Sequence, residues 1–426
     1  MKKGNSLKRA LLLIIWFFFV SNFVFAWAVW HILSGGTRIS KAKADWIINL
    51  AAMPSEFYHE LTVFSGVSPS ILIVKNSVDF SNVNSVNGFV LLSTINSESR
   101  LAEVEMIDLV KKKSIQTWQA DFSQIDLSKT SKYNVRIIHP ILFDKDLVTI
   151  VNSRYLVRLD SSSNYKWLKN GNFHHSIEMD ADRNLWVCGT LPLVKDERIN
   201  SKIADDAIFK IDPANGKILY QKSIYDLLIQ NGHQELLHYL GPLGEDPIHI
   251  NDIQPALASS KYWQKGDLLI SLRHRSTVLL YRPSTNKVVW LKTGPWSFQH
   301  DCDFLNDHEI GVLGNDVVRV KEEYILTHGH NNQYIYNFET DQISTPYTKL
   351  FQAGKIKTLT EGRSRILPDG QLFVEETNYG RILFGDKNGV NGVYVSRIDK
   401  DHIAMLGWSR YYTREEYDFE IKQSNK

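Results

Sequence analysis

The chain has 426 residues, 43% of them apolar, 23% charged and 12% aromatic, which fits a globular protein with a sizeable core and excludes long disorder or a collagen-like repeat. Lys and Arg number 49 against 47 Asp and Glu, so the net charge of +2 leaves no electrostatic footprint for nucleic acid. Two cysteines rule out a disulfide scaffold and any zinc site built mainly from thiolates.

Residues 1–10 are a short basic tail carrying Lys2, Lys3, Lys8 and Arg9, expected in the cytoplasm. The run LLLIIWFFFVSNFVFAWAVW at 11–30 has about the length of a bilayer-spanning helix, with Trp27 and Trp30 where an interfacial aromatic belt sits. Residues 11–33 are therefore predicted to be a transmembrane signal-anchor helix. The alternative is a cleaved signal peptide, because Ala26-Trp27-Ala28 has the small-x-small form of a cleavage site. The apolar run is longer than a usual signal-peptide core, which favours the anchor. Arg38, Lys41 and Lys43 follow the span, so the positive-inside bias is slight, and it places the body on the periplasmic or extracytoplasmic side. Residues 34–69 read as a partly helical linker.

From residue 70 to 426 the pattern is repetitive. Six short apolar runs each follow an Asp, Asn or Gly turn: NGFVLLS at 87, DKDLVTIV at 144, DRNLWVCG at 182, KGDLLISL at 265, NDHEIGVLG at 306 and PDGQLFVEE at 368. A hairpin pattern follows each one, as in IFKIDPANGKILY at 208 and LLYRPSTNKVVW at 279. Six copies of three or four short strands predict an all-β fold, a six-bladed β-propeller, with the apolar runs as inner strands. The early strand SILIVKN at 70 is expected to complete the last blade, and SIYDLLIQNGHQELLHYLG at 223 to form an inserted amphipathic helix.

Histidines recur at one level of this repeat. His139 and His175 each lie five residues before a turn Asp, His249 opens HINDIQP, His300 opens its own segment, and Arg363 with Ser364 takes the matching place in the sixth unit. His175, His249 and His300 are expected to converge at one mouth of the channel, joined by Arg273. Imidazoles and a guanidinium suit an anionic group, and a neutral His is also a nucleophile near pH 7. Sulfuryl or phosphoryl transfer needs both properties. No GxSxG elbow, GxxxxGK[ST] loop or GxGxxG turn is present, so no nucleotide donor and no cofactor are expected.

The segments HHSIEMDADRNLWV (174–187), DPIHIND (246–252), GDLLISLRHRSTVLLYRPSTNKVVW (266–290) and GPWSFQHDCDFLNDHEIGVLGN (294–315) together resemble the bacterial arylsulfotransferase family. The resemblance implies a six-bladed propeller outside the cytoplasm that moves sulfuryl groups from aryl sulfates to phenolic or other hydroxyl acceptors through a sulfohistidine. Carried over by motif, it implies His300 as the nucleophile, His249 and Arg273 on the sulfuryl oxygens, and His175 in proton exchange with the phenol. Asn251 is implied to shape the loop of His249 and counted with the substrate-binding residues, as is His174 of the same HH motif as His175; Arg363, from its place in the sixth repeat, is open to substrate contact or to a turn role. The chain departs from the family pattern at Ser176, where Asp often follows the two histidines, and at Gly314-Asn315, where Asp-Asn is common.

The rival reading is a non-catalytic propeller that binds an anionic glycan, polymer or protein. A weaker third option is a lyase or hydrolase acting on an anionic saccharide. His139, next to Pro140, reads as structural, and His328 and His330 in THGHNN lack the carboxylate or thiol neighbours of a metal site, so no catalytic metal is expected. Cys188 and Cys302 fall on repeats separated by a whole unit, which disfavours a disulfide.

Overall fold

The computed structural model describes residues 16, 20–28, 71–73, 86–127, 131–196, 201–237, 246–320 and 323–423. The chain divides into two compact units, residues 1–68 and Pro69–Lys426. In the first, residues 16 and 20–28 are helical. Among the described residues no helix is long and apolar enough to cross a membrane. The remainder of the expected span at 11–33, the tail 1–10 and the linker 34–69 lie outside the described residues.

The second unit carries six four-stranded antiparallel sheets, the blades of a propeller. The innermost strands of blades two to six are Ile137–Phe143, Phe173–Met179, Ile250–Pro255, Cys302–Phe304 and Arg363–Ile366. The expected apolar runs form the next strand out in every blade, so in blades two to six the innermost strand lies one position earlier in the chain than the hydrophobic pattern indicated. The reason is burial. Phe89–Ile95, Asp146–Val151 and Leu268–Leu272 are buried along their whole length between neighbouring blades. The innermost strands line a polar channel with Glu178, Asp252, Asp303 and Arg363, and all but Ile137–Phe143 lack a comparable run. The predicted hairpins form the two outer strands, for example Tyr155–Leu159 with Tyr165–Asn170.

Closure of the ring also differs from expectation. The innermost strand of blade one comes from the C-terminal end: Arg410–Tyr412 pairs with Phe89–Ile95 in the register Phe89↔Tyr412 and Leu91↔Arg410. The early strand Ile71–Ile73 pairs instead with His402–Ala404 in a separate two-stranded sheet. The predicted helix at 223 is shorter than its pattern. Ser223 Oγ caps it by accepting from Asp226 N at 3.0 Å, and it runs only over Ile224–Gln230 before Gly232, at φ 80°, turns the chain out.

Alternation along each strand sends successive side chains into the two flanking gaps. Leu147 and Val151 pack toward blade one with Leu91 and Met106, while Val148 and Ile150 pack toward blade three with Ile177 and Val187. Among the described residues each of the six gaps holds an apolar cluster. The cluster that closes the ring joins Phe373, Ile382 and Phe384 of blade six to Val90, Leu92 and Tyr411 of blade one. Phe384 is fully buried there. Phe384→Ala is expected to lower unfolding free energy by about 3–5 kcal/mol, read by urea denaturation; a loss below about 1 kcal/mol would show that this gap does not hold the ring.

Candidate active site

The innermost strands share an unusual start. Trp408, His139, His175, His249 and Asp301, in blades one to five, all take left-handed backbone with φ between 49° and 57°, and blade six uses Gly362 at 138°. Such a conformation is uncommon for residues with a Cβ. It turns the following amide out of the ladder, and that N–H needs a partner. Ile250 N donates to Asp206 Oδ2, Cys302 N to Asp252 Oδ2 (both 2.7 Å) and Ser409 N to Glu375 Oε2 at 2.5 Å, each acceptor belonging to the preceding blade. In blade two the following residue is Pro140, which has no N–H to satisfy.

The same turn gathers the side chains. The His175 ring centroid lies 4.9 Å from His249, 6.2 Å from His300 and 5.7 Å from Trp408. His174 meets only the outer side of this group, with its Nδ1 2.8 Å from Nδ1 of His175. Asn251 ties the next blade in, donating from Nδ2 to the Gln299 carbonyl at 2.7 Å. Arg273 begins the turn after Leu268–Leu272; its guanidinium lies 5.0 Å from the Phe298 ring and 5.5 Å from Tyr324.

His300 is buried, and its tautomer follows from its neighbour. Asn315 Nδ2 donates to the carbonyls of Thr358 and Glu361, so its Oδ1 faces His300 and accepts from Nδ1 at 2.6 Å. The lone pair is thereby placed on Nε2, which has no hydrogen-bond partner. Nε and Nη2 of Arg273, one edge of the guanidinium, are also buried and unpartnered. The orphaned guanidinium edge is a bidentate donor for an oxyanion, and the orphaned imidazole nitrogen beside it offers a free lone pair. Among the described residues no carboxylate pairs with Arg273: Asp301, the nearby candidate, accepts instead from Ser364 N at 2.7 Å and Ser364 Oγ at 3.1 Å.

Electrostatics keep the imidazoles neutral. Burial, then the Arg273 charge, hold His300 well below its ordinary value, against the pull of Asn315. Burial and the surrounding histidines do the same to His175. His174 and His274 are pushed down to about 4, chiefly by burial and then by His249.

Six of the seven residues expected from sequence come together here. Arg363 belongs to a different cluster, deeper in the channel: its Nη2 donates to Glu178 at 2.5 Å, and Arg410 holds the same carboxylate through two bonds of 2.8 Å. Blades three, six and one are thus tied across the axis. A cavity of about 1270 Å³ opens at the far end of the channel, lined by Asp303, Arg363 and Phe419 among others and by none of the site histidines. His139 stacks on Trp408 at 5.1 Å and packs in the wall.

Sequence reasoning missed His274, Asp246 and Asn315. His274 stacks on His249 at 4.5 Å, accepts from Arg273 Nη1 at 3.0 Å and donates from Nδ1 to the Asp246 carbonyl at 2.8 Å. The Asp246 carboxylate accepts from His249 Nδ1 at 2.5 Å. Burial raises this acid, but the bond to His249 and its charge outweigh that, and it titrates below its ordinary value. Both residues lay inside the quoted motifs, yet nothing in spacing marks a partner that acts through a ring stack. The departure at Gly314 has a packing cause: a Cβ there would stand 2.6 Å from the Tyr334 ring and from Asp316 Oδ1.

His174 and His274 fall from 6.5 in the unfolded chain to about 4 when folded, so below pH 6.5 the unfolded state binds more protons. Stability is therefore expected to be full above pH 6.5 and to decline as pH falls toward 4, seen as a falling thermal midpoint. In a His174→Gln, His274→Gln double variant that decline should be shallower; an identical slope would place the titration elsewhere.

Among solved structures, the chain is similar to a protein of unknown function from Bacteroides caccae, at 11% identity and a TM-score of 0.49 over 76% of this chain and 99% of that one. It is also similar to the Pan2 WD40 domain of Neurospora crassa (10%, 0.41, 75% and 87%) and to BamB from Moraxella catarrhalis (11%, 0.34, 73% and 74%). These distant likenesses carry no argument about activity. No curated protein sequence matches. The arylsulfotransferase (ASST) family model matches residues 141–394, a stretch that takes in His175, His249, Arg273 and His300. With more than half of its length matched, the chain belongs to the arylsulfotransferase family and is a sulfotransferase enzyme.

Proposed function

We propose that the chain transfers a sulfuryl group from an aryl sulfate to a phenolic or other hydroxyl acceptor, in two steps through a sulfohistidine on His300. The observation that carries this reading is the pairing of two orphans: the bare Nε2 of His300 and the unpartnered Nε and Nη2 edge of Arg273, all buried in one cup. In the first step Nε2 attacks sulfur while Asn315 retains the Nδ1 proton. Charge spread over the sulfuryl oxygens is met by the Arg273 fork, preorganised in a site of low polarity. His249, held through Nδ1 by the Asp246 carboxylate, stands beside a second sulfuryl oxygen. His175 exchanges the phenol proton, a general acid and base role that the neutral ring suits. The acceptor then reverses these events.

The aryl donor fits the aromatic side of the cup, where Phe298 and Tyr324 stand edge to face with centroids 6.0 Å apart. The same reading places the propeller outside the cytoplasm, tethered by residues 11–33; its support is the apolar run at 11–30 with its flanking tryptophans.

Brief exposure to an aryl sulfate is expected to add a sulfuryl-sized mass to the intact protein with release of phenol, and His300→Ala should abolish both. No adduct and no phenol from a folded sample would instead favour an anion-binding propeller. Arg273→Met should lower kcat/KM for the donor by about 10²–10³-fold while leaving the adduct site unchanged, measured by phenol release.

A further inference from the structure

The general acid and base assigned to His175 has a second imidazole and a carboxyl group behind it. Nδ1 of His175 and Nδ1 of His174 are 2.8 Å apart, so one ring donates and the other accepts, and the two tautomers are coupled. When His174 carries its proton on Nδ1, His175 must carry its own on Nε2, the nitrogen left for substrate; when His175 donates, the reverse holds. His174 Nε2 in turn lies 3.8 Å from Asp206 Oδ1, a distance that one side-chain adjustment closes. Asp206 Oδ2 is fixed by the Ile250 amide at 2.7 Å, so Oδ1 is the oxygen turned to the histidine. Asp206 is buried and His174 half-buried.

We infer that Asp206, His174 and His175 form a proton wire whose two tautomeric settings correspond to the two half-reactions of sulfuryl transfer, Asp206 storing the proton between turnovers. The inference rests on the sulfohistidine reading above. In the donor step the aryl S–O bond breaks as the His300 Nε2–S bond forms. His175 Nε2–H protonates the departing phenolate, His174 Nδ1–H passes to His175 Nδ1, and Asp206 Oδ1–H passes to His174 Nε2. Asp206 is left as carboxylate. In the acceptor step the hydroxyl proton enters at His175 Nε2 as its oxygen takes the sulfuryl group and the N–S bond breaks; the three protons return. Neither imidazole of the wire becomes charged at any stage. That matters because burial penalises an imidazolium on either ring. Burial and the Asp246 charge also raise the Asp206 carboxyl well above its ordinary range, in the direction that favours a stored proton.

A wire of this kind matters most when the leaving phenolate is basic. In full-length protein, the single-turnover rate of His300 sulfation is compared for 4-nitrophenyl sulfate, a good leaving group, and phenyl sulfate, a poor one. His174→Gln and Asp206→Asn should each raise the ratio of the two rates at least about 30-fold over the unaltered chain, because general acid help is lost only where it is needed. Asp206→Asn retains an oxygen for the Ile250 amide; should it fail to fold, His174→Gln reads the wire alone. An equal loss with both donors would show a structural role and overturn the inference, as would an unchanged rate. If the unaltered chain forms no adduct with either donor, the sulfohistidine reading falls and the wire with it, whereas adduct formation with an unchanged ratio removes the wire alone.

Discussion

Everything near the axis depends on one backbone constraint, the left-handed residue at the start of each innermost strand. Placing a residue with a Cβ there costs on the order of 1–3 kcal/mol and strands the next amide. The preceding blade supplies the remedy through Asp206, Asp252 and Glu375, whose buried carboxylates accept those amides. A single device thus sets the spacing between blades and turns His139, His175, His249 and Trp408 toward one another. Asp206 serves twice, since the carboxylate that caps Ile250 also faces His174.

The site combines rigidity with deliberate incompleteness. His300 is immobilised by Asn315, which is itself pinned by two carbonyls, and His249 is pinned by Asp246. The Arg273 edge and His300 Nε2 are buried without a partner, and they are the atoms the proposed reaction would use. A buried guanidinium without a carboxylate is costly in a folded chain, so its retention points to a recurring anion. The arginines of the channel interior show the contrast: Arg363 and Arg410 are fully engaged by Glu178 and serve closure of the ring.

How far the residues themselves announced this arrangement varies by element. The outer hairpins were legible because turn residues and alternation are local signals. Their inner neighbours were displaced by one strand, since the strongest apolar runs mark strands covered on both faces, as at Leu268–Leu272, and not the polar strands at the axis. The site histidines were legible as motifs recurring at one level. His274 was not, because its part depends on stacking over His249, nor was the involvement of Asp206, which comes from another strand.

By itself, then, the amino-acid sequence determined the repeat count, the all-β class and which imidazoles and guanidinium share a level, because periodicity and turn chemistry are written in short segments. Tertiary structure alone decided that the C-terminal strand Arg410–Tyr412 closes the ring and that Arg363 is spent on Glu178. It also decided which nitrogen of His300 is bare. Those outcomes turn on partners more than a hundred residues apart, or on which face of an amide meets which ring, and such pairings exist only once the blades are packed.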